Sequence, residues 1–160
     1  MKALALALML GGVGSKAGFL GTATPPLRTA ICQPGGCVLL GRQTLQTELG
    51  LTFTEHRVAV PSLKDPLRFG VDGQGQIQWA EVSVSGPFPA AAELSVLVRF
   101  VQAATGRWVN TTQVQRCLKS ARQNAARSVS LIELDRAGVV CVASGPNGPF
   151  KLAASLGLPH

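Results

Sequence analysis

The chain has 160 residues, 46% of them hydrophobic and 14% charged, with 15 basic and 8 acidic side chains for a formal net charge of +7. That balance excludes wholesale disorder and suits one domain able to bury a core of its own. Tyrosine is absent and aromatic residues make up 5% of the chain, which leaves few of the stacking rings that sugar sites and single-strand nucleic-acid platforms rely on.

The N-terminus sets the expected compartment. Lys2 supplies a basic start, Ala3 to Val13 form an apolar run, and Ser15-Lys16-Ala17 places small residues where a signal peptidase reads them. A transmembrane helix needs roughly 20 apolar residues, and Lys16 interrupts the run before that. The bulky Ile31 before Cys32, far beyond the apolar run, argues against a lipid-anchored cysteine. The expectation is a signal peptide over 1–17, with a later cut after Ala23 also open, and a secreted or periplasmic mature chain. Its removal lowers the formal charge to +5, because Lys2 and Lys16 leave and no carboxylate does.

Residues 18–43 read as an N-terminal extension carrying the loop Cys32-Gln33-Pro34-Gly35-Gly36-Cys37, and 44–160 as a single domain. Val38-Leu39-Leu40 looks strand-like, and Gln43 to Leu49 fits a short helix or a loop. Leu51 to Val60 reads as a strand stopped by Pro61. Leu67–Val71 and Gln76–Val84 flank Asp72-Gly73-Gln74-Gly75, a hairpin signal because Asp-Gly supplies positive-φ residues. The inward face of the second arm is ambiguous: Ala80, Val82 and Val84 form the cleaner apolar set, and Trp79 alternates with an interrupting Glu81.

Gly86-Pro87-Phe88-Pro89 breaks that strand. Ala90 to Ala104 then carries Leu94, Leu97, Val98 and Val101 at helical spacing, ended by Thr105-Gly106. A second helix is predicted from a Thr111 or Thr112 cap to about Ala126. Val129–Leu134 and Val139–Ala143 make a final hairpin, and Leu152 to Leu158 suggest a short helical turn. Strands, then two helices, then strands favour an α+β domain, with an antiparallel sheet of about five strands and both helices on one face.

The four cysteines make an even set, and in an exported chain disulfides are the default reading. The Pro-Gly-Gly turn favours Cys32 with Cys37. Cys117 on a helix face and Cys141 on a strand favour each other. The chain-entropy relation makes the bridges worth about 2 and about 3.5 kcal/mol. No close Cys-x-x-Cys knuckle supports zinc. Thiol–disulfide exchange at Cys32 and Cys37 is the alternative role, weakened by the four intervening residues and the strand-like sequence that follows.

Nothing in the sequence points to a catalytic or metal site, or to a cofactor. His56 is the internal histidine, and its neighbour Glu55 points to the opposite strand face. No nucleophile elbow, His-Glu-x-x-His pair or phosphate-binding glycine loop occurs. The distinctive feature is electrostatic. Between Glu93 and Glu133 lie Arg99, Arg107, Arg116, Lys119, Arg122 and Arg127 and no carboxylate. Arg116, Lys119, Gln123 and Arg127 share the side of the second helix opposite Val114, Leu118, Ala121 and Ala125. Arg107, Arg116, Lys119, Arg122 and Arg127 are therefore the residues expected to meet an anionic partner: an envelope polymer, nucleic acid or an acidic protein. Trp108 beside Arg107 is either an exposed contact or a plug at the helix corner.

Overall fold

The computed structural model describes residues 17–86, 88–124, 128–145 and 147–157. The predicted signal segment up to Lys16, and Arg127, lie outside the described residues.

The described chain is an α+β arrangement of seven antiparallel strands and two helices. The strands are β1 (Val38–Gln46), β2 (Thr52–Ala59), β3 (Leu67–Val71), β4 (Ile77–Val84), β5 (Val129–Glu133), β6 (Ala137–Ala143) and β7 (Phe150–Leu156). Helices α1 (Ala91–Thr105) and α2 (Thr111–Gln123) fall between β4 and β5. The sheet order is β1-β2-β3-β4-β7-β6-β5, so β7 returns to sit beside β4 and joins a four-stranded meander to a three-stranded one.

Seven strands replace the expected five, and the two additions were hidden for different reasons. β1 is an edge strand whose side chains are mostly exposed and whose register slips between Leu39 and Gly41, so no clean alternation marks it. The helix-or-loop reading of Gln43 to Leu49 is corrected for Gln43 to Gln46, which are strand, while Thr47 to Leu49 belong to the turn into β2. β7 has the sequence Phe-Lys-Leu-Ala-Ala-Ser-Leu, a composition of good helix formers. Pairing on both sides, with β4 and β6, overrides that preference, and no helical turn forms there.

One face of the sheet carries the core. Ala80, Val82 and Val84 of β4 stand opposite Ala154, Leu152 and Phe150 of β7. Those pair on with Val139, Cys141 and Ala143 of β6, and all nine are buried. This settles the inward face of β4. Ile77 is buried as well, because a register shift between Gly70 and Val71 turns it inward. Leu94, Leu97, Phe100 and Val101 of α1 and Val114, Leu118 and Ala121 of α2 close the core from above.

The segment before β1 is part of this packing. Phe19 is 5% exposed, with its ring 5.4 Å from that of Phe69 and 6.4 Å from that of Phe100. Its N–H donates to the Ala103 carbonyl, and the Gly21 N–H donates to that of Ile77, both at 2.8 Å. Disulfides join Cys32 to Cys37 and Cys117 to Cys141, the second tying α2 to β6.

Candidate functional site

The helical layer is assembled from local signals. The Glu93 carboxylate accepts from the Ala90 N–H at 2.8 Å and fixes the start of α1. Gly106, at φ 71°, ends it in a left-handed turn that favours glycine. Asn110, rather than Thr111 or Thr112, caps α2: its Oδ1 accepts from the Gln113 N–H at 2.8 Å, and Gln113 Oε1 accepts from the Asn110 N–H at 2.9 Å. α2 closes at Gln123 with Asn124 as its cap, short of the expected Ala126.

With Val114, Cys117, Leu118 and Ala121 buried, the helical period turns Thr112, Gln115, Arg116 and Lys119 outward. These four residues, with Leu118 beneath, form one wall of an open groove of about 390 Å³. Phe88 and Pro89, from the approach to α1, form the other. Phe88 is 56% exposed yet braced from behind. Its ring lies 6.0 Å from that of Phe150, and the Arg122 guanidinium sits 5.7 Å from Phe88 and 4.1 Å from Phe150.

Arg122 is thus engaged with the fold. Its Nη2 donates to the carbonyls of Gly86 at 3.4 Å and Gly148 at 3.2 Å, pinning the loop that presents Phe88. Arg107 lines a second groove of about 460 Å³ with Arg99, Gln102 and Trp108. Trp108 is 73% exposed, so it stands out from the helix corner rather than plugging it. Among the described residues, Arg116 and Lys119 therefore line one groove, Arg107 lines another and borders a third with Glu133 and Asp135, and Arg122 is a brace.

The opposite face of the sheet uses its charges differently. Gln43 stands opposite Glu55 and Arg68 opposite Glu81, while Glu55 reaches Arg68 and Glu81 reaches Lys151 as diagonal neighbours two residues off the register, across β1, β2, β3, β4 and β7. Gln43 Nε2 donates to Glu55 Oε1 at 2.9 Å, and Arg68 Nε donates to Glu55 Oε2 at 2.9 Å, with Arg68 Nη2 on the same oxygen. Glu81 Oε2 meets Arg68 Nη1 and Lys151 Nζ, each at 3.2 Å. The bond to Glu55 holds the Arg68 guanidinium above its ordinary pKa.

Glu55 is 1% exposed although it lies on the helix-free face. The Trp79 indole lies directly over Gly70, the register partner of Glu55, so closely that a Cβ at Gly70 would clash with the ring. This ladder explains the interrupting Glu81, and neither Arg68 nor Lys151 stood out in the sequence, because cross-strand register is what brings them together.

His56 pairs with Arg42 and Phe69 on the helix-side face, away from the Glu55 carboxylate. Burial, and then the charge of Arg42, lower its pKa from the ordinary 6.5. Cys32 is buried and Cys37 half-buried, and the chain runs from them into β1, not into a helix. Among the described residues no cluster of three or more His, Cys, Asp or Glu side chains is placed to hold a metal ion. No helix among them is long and apolar enough to cross a membrane. Compared with known proteins, the chain matches no protein-family model, no curated protein and no solved structure.

Proposed function

We propose that this is an exported, disulfide-stabilised binding domain without catalytic chemistry, and that its cationic helical layer docks an anionic partner. The observation that carries the reading is a difference in charge pairing. Every ion pair among the described residues, Arg68–Glu55, Arg68–Glu81 and Lys151–Glu81, belongs to the helix-free face. Arg99, Arg107, Arg116 and Lys119 have no carboxylate partner there, in a stretch that contains none between Glu93 and Glu133. Unpaired cations beside grooves raise the local concentration of anions and steer their approach. Bridges at Cys32–Cys37 and Cys117–Cys141 are compatible with an oxidising, extracellular compartment.

The place of Phe19 in the core supports cleavage after Ala17 over cleavage after Ala23, since the later cut would remove a core ring and its backbone bonds to α1. Intact-mass analysis of the exported protein tests this point: a mature chain starting at Gly18 is expected, and one starting at Thr24 contradicts it.

Retention on immobilised polyphosphate, titrated with salt, tests the function itself. Binding should weaken linearly in log[salt], and Arg116→Gln with Lys119→Gln should reduce that slope by about 1.4 if both contact phosphates of a flexible chain. No retention at low salt, or an unchanged slope in the double variant, contradicts the assignment.

A further inference from the structure

The groove between α2 and the Phe88-Pro89 approach offers more than charge. Resting on the reading of the helical layer as an anion-docking surface, we infer that this groove takes one amphiphile molecule: an alkyl chain on Phe88 and Pro89, and a phosphate headgroup on Arg116 and Lys119.

Three observations narrow the occupant. The groove measures about 390 Å³, within the usual range for a small ligand and narrow for a partner helix. It is walled by a helix and a loop held through Arg122, and no strand residue is part of its lining, so it lacks the backbone row that captures an extended peptide; the β5 edge borders a separate groove on the other side of Arg116. Its apolar and cationic parts are segregated. Phe88 is half-exposed and held in place by Phe150 and Arg122. An exposed ring ordered in advance loses little freedom when a chain covers it.

Arg116 and Lys119 stand one helical turn apart on the adjoining rim, where side chains are neighbours. Two cations so placed, with no carboxylate among them, match a doubly charged headgroup. Thr112 and Gln115 on the same wall supply polar groups at the headgroup end.

The test is a calorimetric titration of the full chain with monomeric butyl, hexyl and octyl phosphate, alongside inorganic phosphate. Each methylene that enters the groove should tighten binding by about fourfold. Phe88→Ala should flatten that dependence on chain length while leaving retention on polyphosphate intact. Arg116→Gln with Lys119→Gln should weaken all the alkyl phosphates together. Gln115→Trp, placed on the exposed side of α2 so that its indole fills the groove without entering the core, should abolish alkyl phosphate binding and leave the melting temperature unchanged.

Equal affinity for inorganic and octyl phosphate would overturn the proposal. So would binding to anionic vesicles with no binding to the monomers, which would spread the contact over the whole layer. Polyphosphate retention persisting in either case would leave the broader docking reading standing. Its loss together with alkyl phosphate binding in the wild type would remove both.

Discussion

The two faces of the sheet use the same residue types to opposite ends. On the helix-free face Arg68 and Lys151 are locked by Glu55 and Glu81 into a ladder running over four strands. On the helical layer Arg99, Arg107, Arg116 and Lys119 stand beside grooves with no ion-pair partner among the described residues, Arg107 sharing a further groove with Glu133 and Asp135, and Arg122 serves as a brace. The lesson is that a net positive charge says little until its pairing is known. Arg68 and Lys151 are part of the scaffold, as is Arg122, whereas Arg116 and Lys119 of α2 have no carboxylate partner among the described residues.

Variants can break this contrast, beginning with the attachment of the helical layer. Replacing Cys117 and Cys141 together by serine removes the link between α2 and β6 and should lower stability by about 3.5 kcal/mol in chemical denaturation. The loss should exceed that of the Cys32/Cys37 pair, whose loop is shorter. A larger loss from the shorter loop would mean that the N-terminal segment, and not the helical layer, depends more on its staple.

Next comes the ladder. Glu55→Ala leaves Gln43 and Arg68 without their acceptor on a covered site and should cost about 2 kcal/mol, below the usual figure for a broken buried pair because Arg68 remains 39% exposed to water. Polyphosphate binding by this variant should be unchanged while it stays folded, and weakened binding would erase the distinction between the faces.

Arg116→Gln with Lys119→Gln should have the reverse signature. A stability change within about 0.5 kcal/mol is expected, as for exposed positions elsewhere, with weakened polyphosphate binding of lower salt dependence. Equal effects on both readouts would place these cations in the scaffold as well.

The smallest effect concerns His56. Its pKa is lowered, so between the folded value and 6.5 the unfolded chain binds more protons than the folded one. The stabilisation is present above pH 6.5 and is lost as pH falls through the folded pKa. NMR titration should find a midpoint below 6.5, raised in Arg42→Gln but not fully restored, since burial is the larger cause. A midpoint at or above 6.5 would contradict the packing of this strand pair.

Much of this was legible in the sequence where local chemistry decides. Asp72-Gly73-Gln74-Gly75 announced its hairpin, and the structure shows how: Asp72 Oδ1 accepts from the N–H groups of Gln74 and Gln76, both at 2.9 Å. The apolar periods of α1 and α2 announced their buried faces, and those faces are the ones packed. The pairing of Cys117 with Cys141 followed from a helix face meeting a strand face.

What was hidden depends on distant partners. Phe88 sits between prolines in a strand-breaking stretch, and only Phe150 and Arg122, from β7 and α2, make it the wall of a groove. Arg122 read as one cation among six in the acid-free stretch until the carbonyls of Gly86 and Gly148 claimed it. The Glu55–Arg68–Glu81–Lys151 ladder exists only in a register that no single strand encodes.

The central claim, that the helical layer and not the helix-free face meets the anionic partner, is tested most directly by mapping amide chemical shifts as polyphosphate is added at low salt. Changes should concentrate on α2 from Thr112 to Lys119 and at Arg107 and Trp108, with β2, β3 and β4 unmoved around Glu55, Arg68 and Glu81. Shifts centred on Arg68 and Lys151 instead would contradict it, because the paired charges would then be the ones that bind.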